Sequence, residues 1–242
     1  MSDIAIDHLR DDYRRLLERL EANEREFRRL GRAVWKVQED ERRRLARELH
    51  DGIGQNLTAL KHGLAQLEAE LPPAQRERLQ AAIALCHGTL EDTREMSRLL
   101  RPPILDDLGL EPALRWLARS VGESAALAVE LEVENLPPVD GEVQTLLFRV
   151  AQEALNNVAK HAQAQSVLVR LAGRGPMVLL HVADDGRGCD PKAALASGGS
   201  GIGGMRERLR LYGGTLELHA EPGQGTRLRA ALPWEPAAVA SA

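Results

Sequence analysis

The sequence is poor in several residue types whose abundance marks particular protein classes. It has two cysteines, Cys86 and Cys189, too few for a disulfide framework and in keeping with a reducing compartment. Aromatic residues make up 3% of the chain, which excludes a base-stacking platform for single-stranded nucleic acid. There is no excess of positive charge either: 32 Lys and Arg stand against 36 Asp and Glu, a formal net charge of −4. That balance argues against a dedicated nucleic-acid binder. No run approaches the roughly 20 apolar residues that span a bilayer, and an N-terminus carrying Asp3 and Asp7 does not read as a signal peptide. The expectation is a cytoplasmic chain without a membrane span and without direct nucleic-acid contact. The 242 residues are 43% hydrophobic, which suits one or two packed domains and excludes a wholly disordered chain.

Residues 8–38 carry a heptad. Leu9, Tyr13, Leu16, Leu20, Asn23, Phe27, Leu30, Val34 and Val37 recur at alternating steps of four and three, with Arg and Glu between them. This is the seam of a left-handed coiled coil, and Asn23 is a polar seam residue able to fix its register. At Glu41 the spacing slips, a stutter that locally unwinds a supercoil. One apolar stripe continues through Leu45, Leu49, Ile53, Leu60, Leu64, Leu67 and Leu71 until Pro72-Pro73 stops the helix. A second helix is expected from about Ala74 to Leu100, before Pro102-Pro103. Two such helices make a poor core alone; in a homodimer they form a four-helix bundle. Beyond residue 104, helical and strand-like segments alternate. A helix is expected over 111–120, a strand over 127–133, a long helix over 141–162 and strands over 166–172 and 177–183. A helix over 205–212 and a closing strand pair, 215–220 and 226–232, follow. The fold class expected is α+β: an N-terminal coiled coil (1–40), a dimeric helical hairpin (41–103), an α/β-sandwich domain (104–235) and a frayed tail (236–242).

Three constellations carry possible chemistry. His50 lies on the flank of the apolar stripe, about 100° from Leu49 on an α-helical wheel, with Arg43, Arg47 and Gly54 on its side. Asp51 can take a proton from one ring nitrogen and leave the other a better nucleophile. Gln55, four residues after Asp51, shares its face and can orient a water. A surface histidine beside an incidental acid would look the same. On the long helix, Arg149, Glu153, Asn157 and Lys160 form a polar stripe. Asn offers a hard oxygen to Mg²⁺ and Glu can orient or deprotonate an attacking group, although a solvated helix face has the same composition. Finally, Asp184-Asp-Gly-Arg-Gly188 follows a strand, and Gly199-Ser-Gly-Ile-Gly-Gly204 precedes a helix. Glycine-rich backbone feeding a helix N-terminus suits phosphate, but neither the Walker nor the Rossmann pattern is present.

Together these segments resemble the NarX/DesK-type sensor histidine kinases of bacterial two-component systems. The resemblance runs from about Glu41 to Pro233. Glu41-Arg-Arg-Arg-Leu-Ala-Arg-Glu-Leu-His-Asp-Gly-Ile-Gly-Gln55 is similar to that family's phosphoacceptor box, and Leu100-Arg-Pro-Pro-Ile-Leu-Asp-Asp-Leu-Gly-Leu110 to its connection segment. Gln152-Glu-Ala-Leu-Asn-Asn-Val-Ala-Lys-His161 resembles the N box, Asp184 to Gly188 the first glycine box, and Gly199 to Gly204 with Met205-Arg-Glu-Arg208 and Gly213-Gly214 the second. The resemblance implies an ATP-binding sandwich of the gyrase/Hsp90/histidine-kinase type. It implies His50 as the phosphorylated residue, Asp51 as its activating base, and Gln55 as the residue placing the water that dephosphorylates the partner. Asn157 would ligate Mg²⁺, Glu153 would take the acidic catalytic position, and Lys160 would belong to the nucleotide site. Asp184 would bind the adenine amino group, Gly186 and Gly188 would shape the pocket, and Gly199, Gly201 and Gly204 would form the lid hinge and phosphate cradle. Cys189 stands where the family often has an aromatic residue.

The implied cofactors are ATP and Mg²⁺. The implied partner is a response regulator with a receiver domain and a LuxR-type helix-turn-helix output, which would make the DNA contact itself. Pro102-Pro103 is a candidate hinge, and Arg43 or Arg47 could add charge neutralisation. Because about 40 coiled-coil residues precede the box, input is expected through a separate sensor protein or through the coil, by a change of register at Glu41. Two other readings share parts of this pattern: a same-fold serine-directed kinase, which lacks the His50 box, and a non-catalytic nucleotide-binding dimeric scaffold, for which Glu153, Asn157 and Asp184 would not need to be intact.

Overall fold

A computed structural model describes residues 2–191, 194 and 201–234. The chain divides into two compact units, Met1–Lys36 with Leu110–Ala242, and Val37–Gly109. Among the described residues no helix is long and apolar enough to cross a membrane.

Helix α1 (Ser2–Glu48) gives its first part to one unit and its last turns to the other. Arginine and glutamate three or four residues apart reinforce it, as in Glu24–Arg28 at 2.6 Å and Arg44–Glu48 at 2.9 Å. Its heptad residues Leu16, Leu20, Phe27, Leu30, Val34 and Val37 are between 53% and 68% exposed. A stripe of that kind, uncovered in one chain, has the form of a seam. A second stripe on the same helix, Trp35, Glu39 and Ala46, is buried; the heptad did not announce it.

In the Val37–Gly109 unit, α1 leads into a π-helical segment, Leu49–Gly54, before α2 (Gln55–Glu70). The sequence predicts an unbroken α-helix there. Gly52 and Gly54 weaken α-helical preference, and Thr58 Oγ1 bonds back to the Gly54 carbonyl at 2.7 Å, so the wider turn is tolerated. Leu71 and Pro72 adopt extended backbone, and Pro73 opens α3 (Pro73–Leu100) at a position where its missing N–H costs nothing. Cys86 and Leu90 on α3 are buried, and Ser97 Oγ donates to the Ala46 carbonyl at 2.8 Å. Leu60, Leu67, Leu85 and Met96 remain exposed, consistent with a bundle completed by a second hairpin.

The connection after α3 holds a short helix, α4 (Pro103–Asp107), that the sequence reading did not include. Arg101 grips Asp106 with two bonds, Nε at 3.1 Å and Nη2 at 2.7 Å, and Arg43 reaches the same carboxylate at 3.1 Å. Arg101 also lies 3.5 Å from the buried Glu39, which Arg42 holds at 2.8 Å. Burial tends to raise the Asp106 carboxyl, but bonds and charge from Arg101 and Arg43 outweigh it and hold it below the usual carboxylate range. Its contribution to stability is therefore present above the unfolded value of about 4 and is lost as pH falls through the lower folded value. Removing the other anchor is more severe. Glu39→Ala leaves Arg101 without a buried carboxylate, an expected loss of about 2–4 kcal/mol, read as a lower urea midpoint at fixed protein concentration. Glu39→Gln should lose less.

The other unit is a two-layer sandwich. Helices α5 (Leu110–Ala125) and α6 (Gly141–Asn157), and α7 (Ile202–Leu211), cover one face of a five-stranded sheet. Its strands are β1 (Ala128–Glu134), β2 (Ser166–Arg174), β3 (Met177–Asp184), β4 (Thr215–Ala220) and β5 (Thr226–Pro233), ordered β1-β2-β3-β5-β4. Only β1 and β2 run parallel among these pairs. The register puts Leu131, Val169, Val182, Leu228 and Leu218 in one row under the helices. Alternation sends Glu132, Arg170, His181, Arg229 and Glu217 to the opposite face in a row of alternating character. Phe148, Leu146 and Leu147 of α6 fill the centre of the core.

Candidate functional site

The phosphoacceptor candidate stands in the π-helical segment. His50 Nδ1 lies 3.0 Å from Asp51 Oδ1, and both side chains are about two-thirds exposed, at 64% and 66%. In the tautomer with the proton on Nδ1, Asp51 accepts it and Nε2 presents its lone pair outward. The four arginines ahead of His50 are not equivalent. Arg42, Arg43 and Arg44 are held by Glu39, Asp106, and Glu41 with Glu48, whereas Arg47 Nε donates to the Arg43 carbonyl at 3.4 Å. Gln55 opens α2 and is exposed. The wheel that paired it with Asp51 assumed α geometry throughout. A π turn closes i to i+5, the spacing that separates His50 from Gln55.

The nucleotide-site candidates converge in the sandwich. Asp140 caps α6 by accepting from Val143 N at 2.8 Å, which fixes the helix that carries Glu153 and Asn157 at its far end. Asn157 Nδ2 donates to Glu153 Oε1 at 3.4 Å. A second π-helical segment, Val158–Ala162, presents Lys160 and His161. Asp184 ends β3, and its Oδ1 accepts from Gly186 N at 2.9 Å and Thr226 N at 3.3 Å. Two glycines are fixed by steric necessity. Gly188 has φ +69° and a side chain would strike the Glu221 carbonyl oxygen, while Gly225 has φ +76° and would strike that of Asp184. Any Cβ at Gly186 would meet the Ala162 carbonyl oxygen at 2.3 Å.

Two adjoining cavities result. One, of about 240 Å³, has Val182, Leu218 and Leu228 as apolar lining, with Asp184, Thr226 and Asn157 as polar groups. The other, of about 370 Å³, is polar and is lined by Glu153, Asn156, Asn157, Lys160, His161 and Gly201. An apolar slot with one carboxylate beside a chamber of amides and a lysine suits a planar base with a charged tail. Gly201, at φ +109°, precedes the first turn of α7, and Gly204 lies within that turn; Gly199 lies outside the described residues. Cys189 lines the apolar cavity, and burial, then the charge of Asp184, pushes its thiol up, so it is a packing group and not a reactive thiolate.

One expected member of the polar stripe departs. Arg149 is buried, bonded to Gln152 at 2.7 Å and set against the Phe148 ring at 5.8 Å, because the helix turns that position into the domain. Conversely, Thr226, Asn156 and the apolar lining were not singled out from sequence. The stretch Gly223-Gln-Gly-Thr226 read only as a strand connection, although its threonine is the register partner of Asp184. The donor set also bears on a cation. No cluster of three or more His, Cys, Asp or Glu placed for a metal occurs among the described residues. Asn157 lines the polar cavity, and an amide oxygen is a donor that fits Mg²⁺ bound mostly by phosphate and water.

Residues 41–105 match the family described as histidine kinase, and residues 142–236 match the histidine kinase-, DNA gyrase B- and HSP90-like ATPases. The chain belongs to the histidine kinases, in the branch typified by NarX, DesK and UhpB, and its sandwich is an ATP-binding domain of that ATPase family. It is 35% identical over 211 residues to the sensor histidine kinase MctS of Rhizobium johnstonii, covering 84% of this chain and 45% of MctS. It is 36% identical over 209 residues to the signal transduction histidine-protein kinase/phosphatase UhpB of Salmonella typhimurium, covering 85% of this chain and 41% of UhpB. The chain thus spans less than half the length of either relative. A solved histidine kinase domain, from the blue-light activated histidine kinase of Erythrobacter litoralis, matches 74% of this chain and 94% of its own length, at 19% identity and a TM-score of 0.48.

Proposed function

We propose that this protein is a cytoplasmic, homodimeric two-component kinase that phosphorylates its own His50 from ATP and passes the phosphoryl group to an aspartate of a response regulator. The observation that carries this reading is the pairing, in one chain, of an exposed His50–Asp51 couple with an apolar slot and polar chamber joined at Asn157.

Asp184 accepts from the exocyclic amine of adenine while Gly186 N and Thr226 N hold its Oδ1 in place. Val182, Leu218 and Leu228 take the faces of the base. Lys160 and the backbone N–H groups at the start of α7 meet the phosphates, where fixed positive charge counts most. Asn157 would hold Mg²⁺, which supplies neutralisation of the phosphate oxygens. Glu153, bonded to Asn157, orients that amide from the acidic position of the site. His50 Nε2 then attacks the γ-phosphorus in line; the new N–P bond forms as the bond to the β,γ-bridging oxygen breaks, and ADP leaves. Asp51 stabilises the charge that develops on the ring and receives the Nδ1 proton. The phosphoramidate is transferred to the regulator's carboxylate, and Gln55 orients the water that later removes it. The regulator, with a LuxR-type output domain, carries the DNA contact.

The test is transfer. Labelled protein mixed with a receiver domain should lose label to it within minutes, as a base-labile acyl phosphate. Gln55→Ala should still transfer but dephosphorylate the receiver at least about tenfold more slowly. Labelled protein that passes no label to any tested receiver domain, or a Gln55→Ala protein with full phosphatase activity, contradicts the respective step.

A further inference from the structure

The turn that follows β3 is stapled to the short connection between α6 and β2 at both ends of that connection. Helix α6 runs into the π-helical segment Val158–Ala162, which stops at Gln163, where the backbone is left-handed at φ 54° and ψ 34°. A helix that stops leaves its last carbonyls to find donors elsewhere. Arg187 meets two of them. Its backbone N–H donates to the Ala162 carbonyl at 2.8 Å, and its Nε donates to the His161 carbonyl at 2.7 Å. The Arg187 carbonyl in turn accepts from Gly223 N at 2.7 Å, so one residue joins the helix end to the loop between β4 and β5. On the far side of Gln163, Asp185 holds the start of β2. Its Oδ1 accepts from Gln165 N at 2.8 Å and Ser166 N at 3.0 Å, and its Oδ2 from Ser166 Oγ at 2.8 Å. Asp184 lines the apolar cavity and Lys160 the polar one, so the staple connects the turn that carries the first to the segment that carries the second.

We propose that Arg187 is a positioning residue for the phosphate half of the nucleotide site: its guanidinium caps the π-helical segment and so holds Lys160 and His161 at the polar cavity, while Asp184 is seated without it. The inference rests on the assignment of that cavity to phosphate. Lys160 and His161 are both exposed, so packing does little to hold them, and the backbone of their segment decides where they stand. A π turn is a rare and weakly favoured form of helix, and its end is where outside support has most effect. A cation on the last carbonyls is that support, since it meets the negative end of the helix dipole. Asp184 depends on other bonds, those from Gly186 N and Thr226 N. The bonds that Arg187 makes through its own N–H and carbonyl also survive any change of side chain. Only the bond to the His161 carbonyl belongs to the guanidinium, so substitution separates the two halves of the site.

The full chain, Arg187→Ala and Arg187→Lys should be compared by calorimetric titration with a non-hydrolysable ATP analogue and with adenosine. Hydrogen–deuterium exchange over residues 158–162, without nucleotide, is the second measurement. Arg187→Ala is expected to bind the ATP analogue about three- to tenfold more weakly and adenosine within about twofold of the parent. Its residues 158–162 should exchange faster. Arg187→Lys keeps a cation able to donate to the His161 carbonyl and should recover most of the affinity and most of the protection. Equal losses for the analogue and adenosine would make Arg187 a general support of the fold and overturn the proposal. So would an unchanged affinity for the analogue in Arg187→Ala. Weaker analogue binding with unchanged exchange would mean that the guanidinium meets phosphate itself, which also overturns a positioning role. A parent protein that binds the analogue no more tightly than adenosine would instead overturn the assignment of the polar cavity to phosphate, and this proposal with it.

Discussion

Asp184→Asn is expected to weaken ATP binding by about ten- to a hundredfold while leaving the domain folded. The asparagine keeps an Oδ1, so the bonds from Gly186 N at 2.9 Å and Thr226 N at 3.3 Å can persist and the turn between β3 and the glycine-rich segment should survive. The second oxygen becomes an amide NH2. A donor then faces the donor amine of adenine in a slot whose walls include Val182, Leu218 and Leu228, and two donors left facing each other in such a setting are costly. Calorimetric titration with a non-hydrolysable ATP analogue reads the loss, and the melting temperature without nucleotide shows that the fold is intact. GTP should suffer no comparable loss, because guanine lacks that amine. Equal ATP affinity in the two proteins would mean that the base does not rest on Asp184.

Much of this architecture is legible in the sequence because its signals are periodic. The strands of the sandwich alternate cleanly, as in Val178, Leu180 and Val182 inward against Leu179 and His181 outward, and prolines mark the hairpin turn. The glycines that follow β3 were legible for a related reason, since Gly186 and Gly188 stand where a side chain would strike neighbouring backbone. What escaped notice depends on long-range or aperiodic physics. Thr226 meets a carboxylate 42 residues away, a pairing fixed by strand register that no local pattern discloses. Arg149 looks like a surface residue but is buried beside Phe148 and bonded to Gln152 on the same helix, because burial there is set by the packing of the domain and not by the local pattern. The π segments at Leu49–Gly54 and Val158–Ala162 break the constant turn on which every wheel rests, and both fall at proposed chemistry, where such bulges are often found. Trp35, Glu39 and Ala46 form a second buried face that a search for one heptad passes over, because one of its members is a glutamate.

The central claim is that His50 is the nitrogen that becomes phosphorylated. Its side chain and that of Asp51 are exposed, and substitution should remove the reaction entirely instead of slowing it. The decisive measurement is incubation of purified protein with γ-labelled ATP and Mg²⁺, beside His50→Gln, followed by acid and alkali. The account predicts label that is lost in acid, survives alkali and is absent from His50→Gln, while that variant binds ATP as tightly as the parent. Label that persists in His50→Gln, or that is stable to acid as a serine phosphate would be, contradicts it.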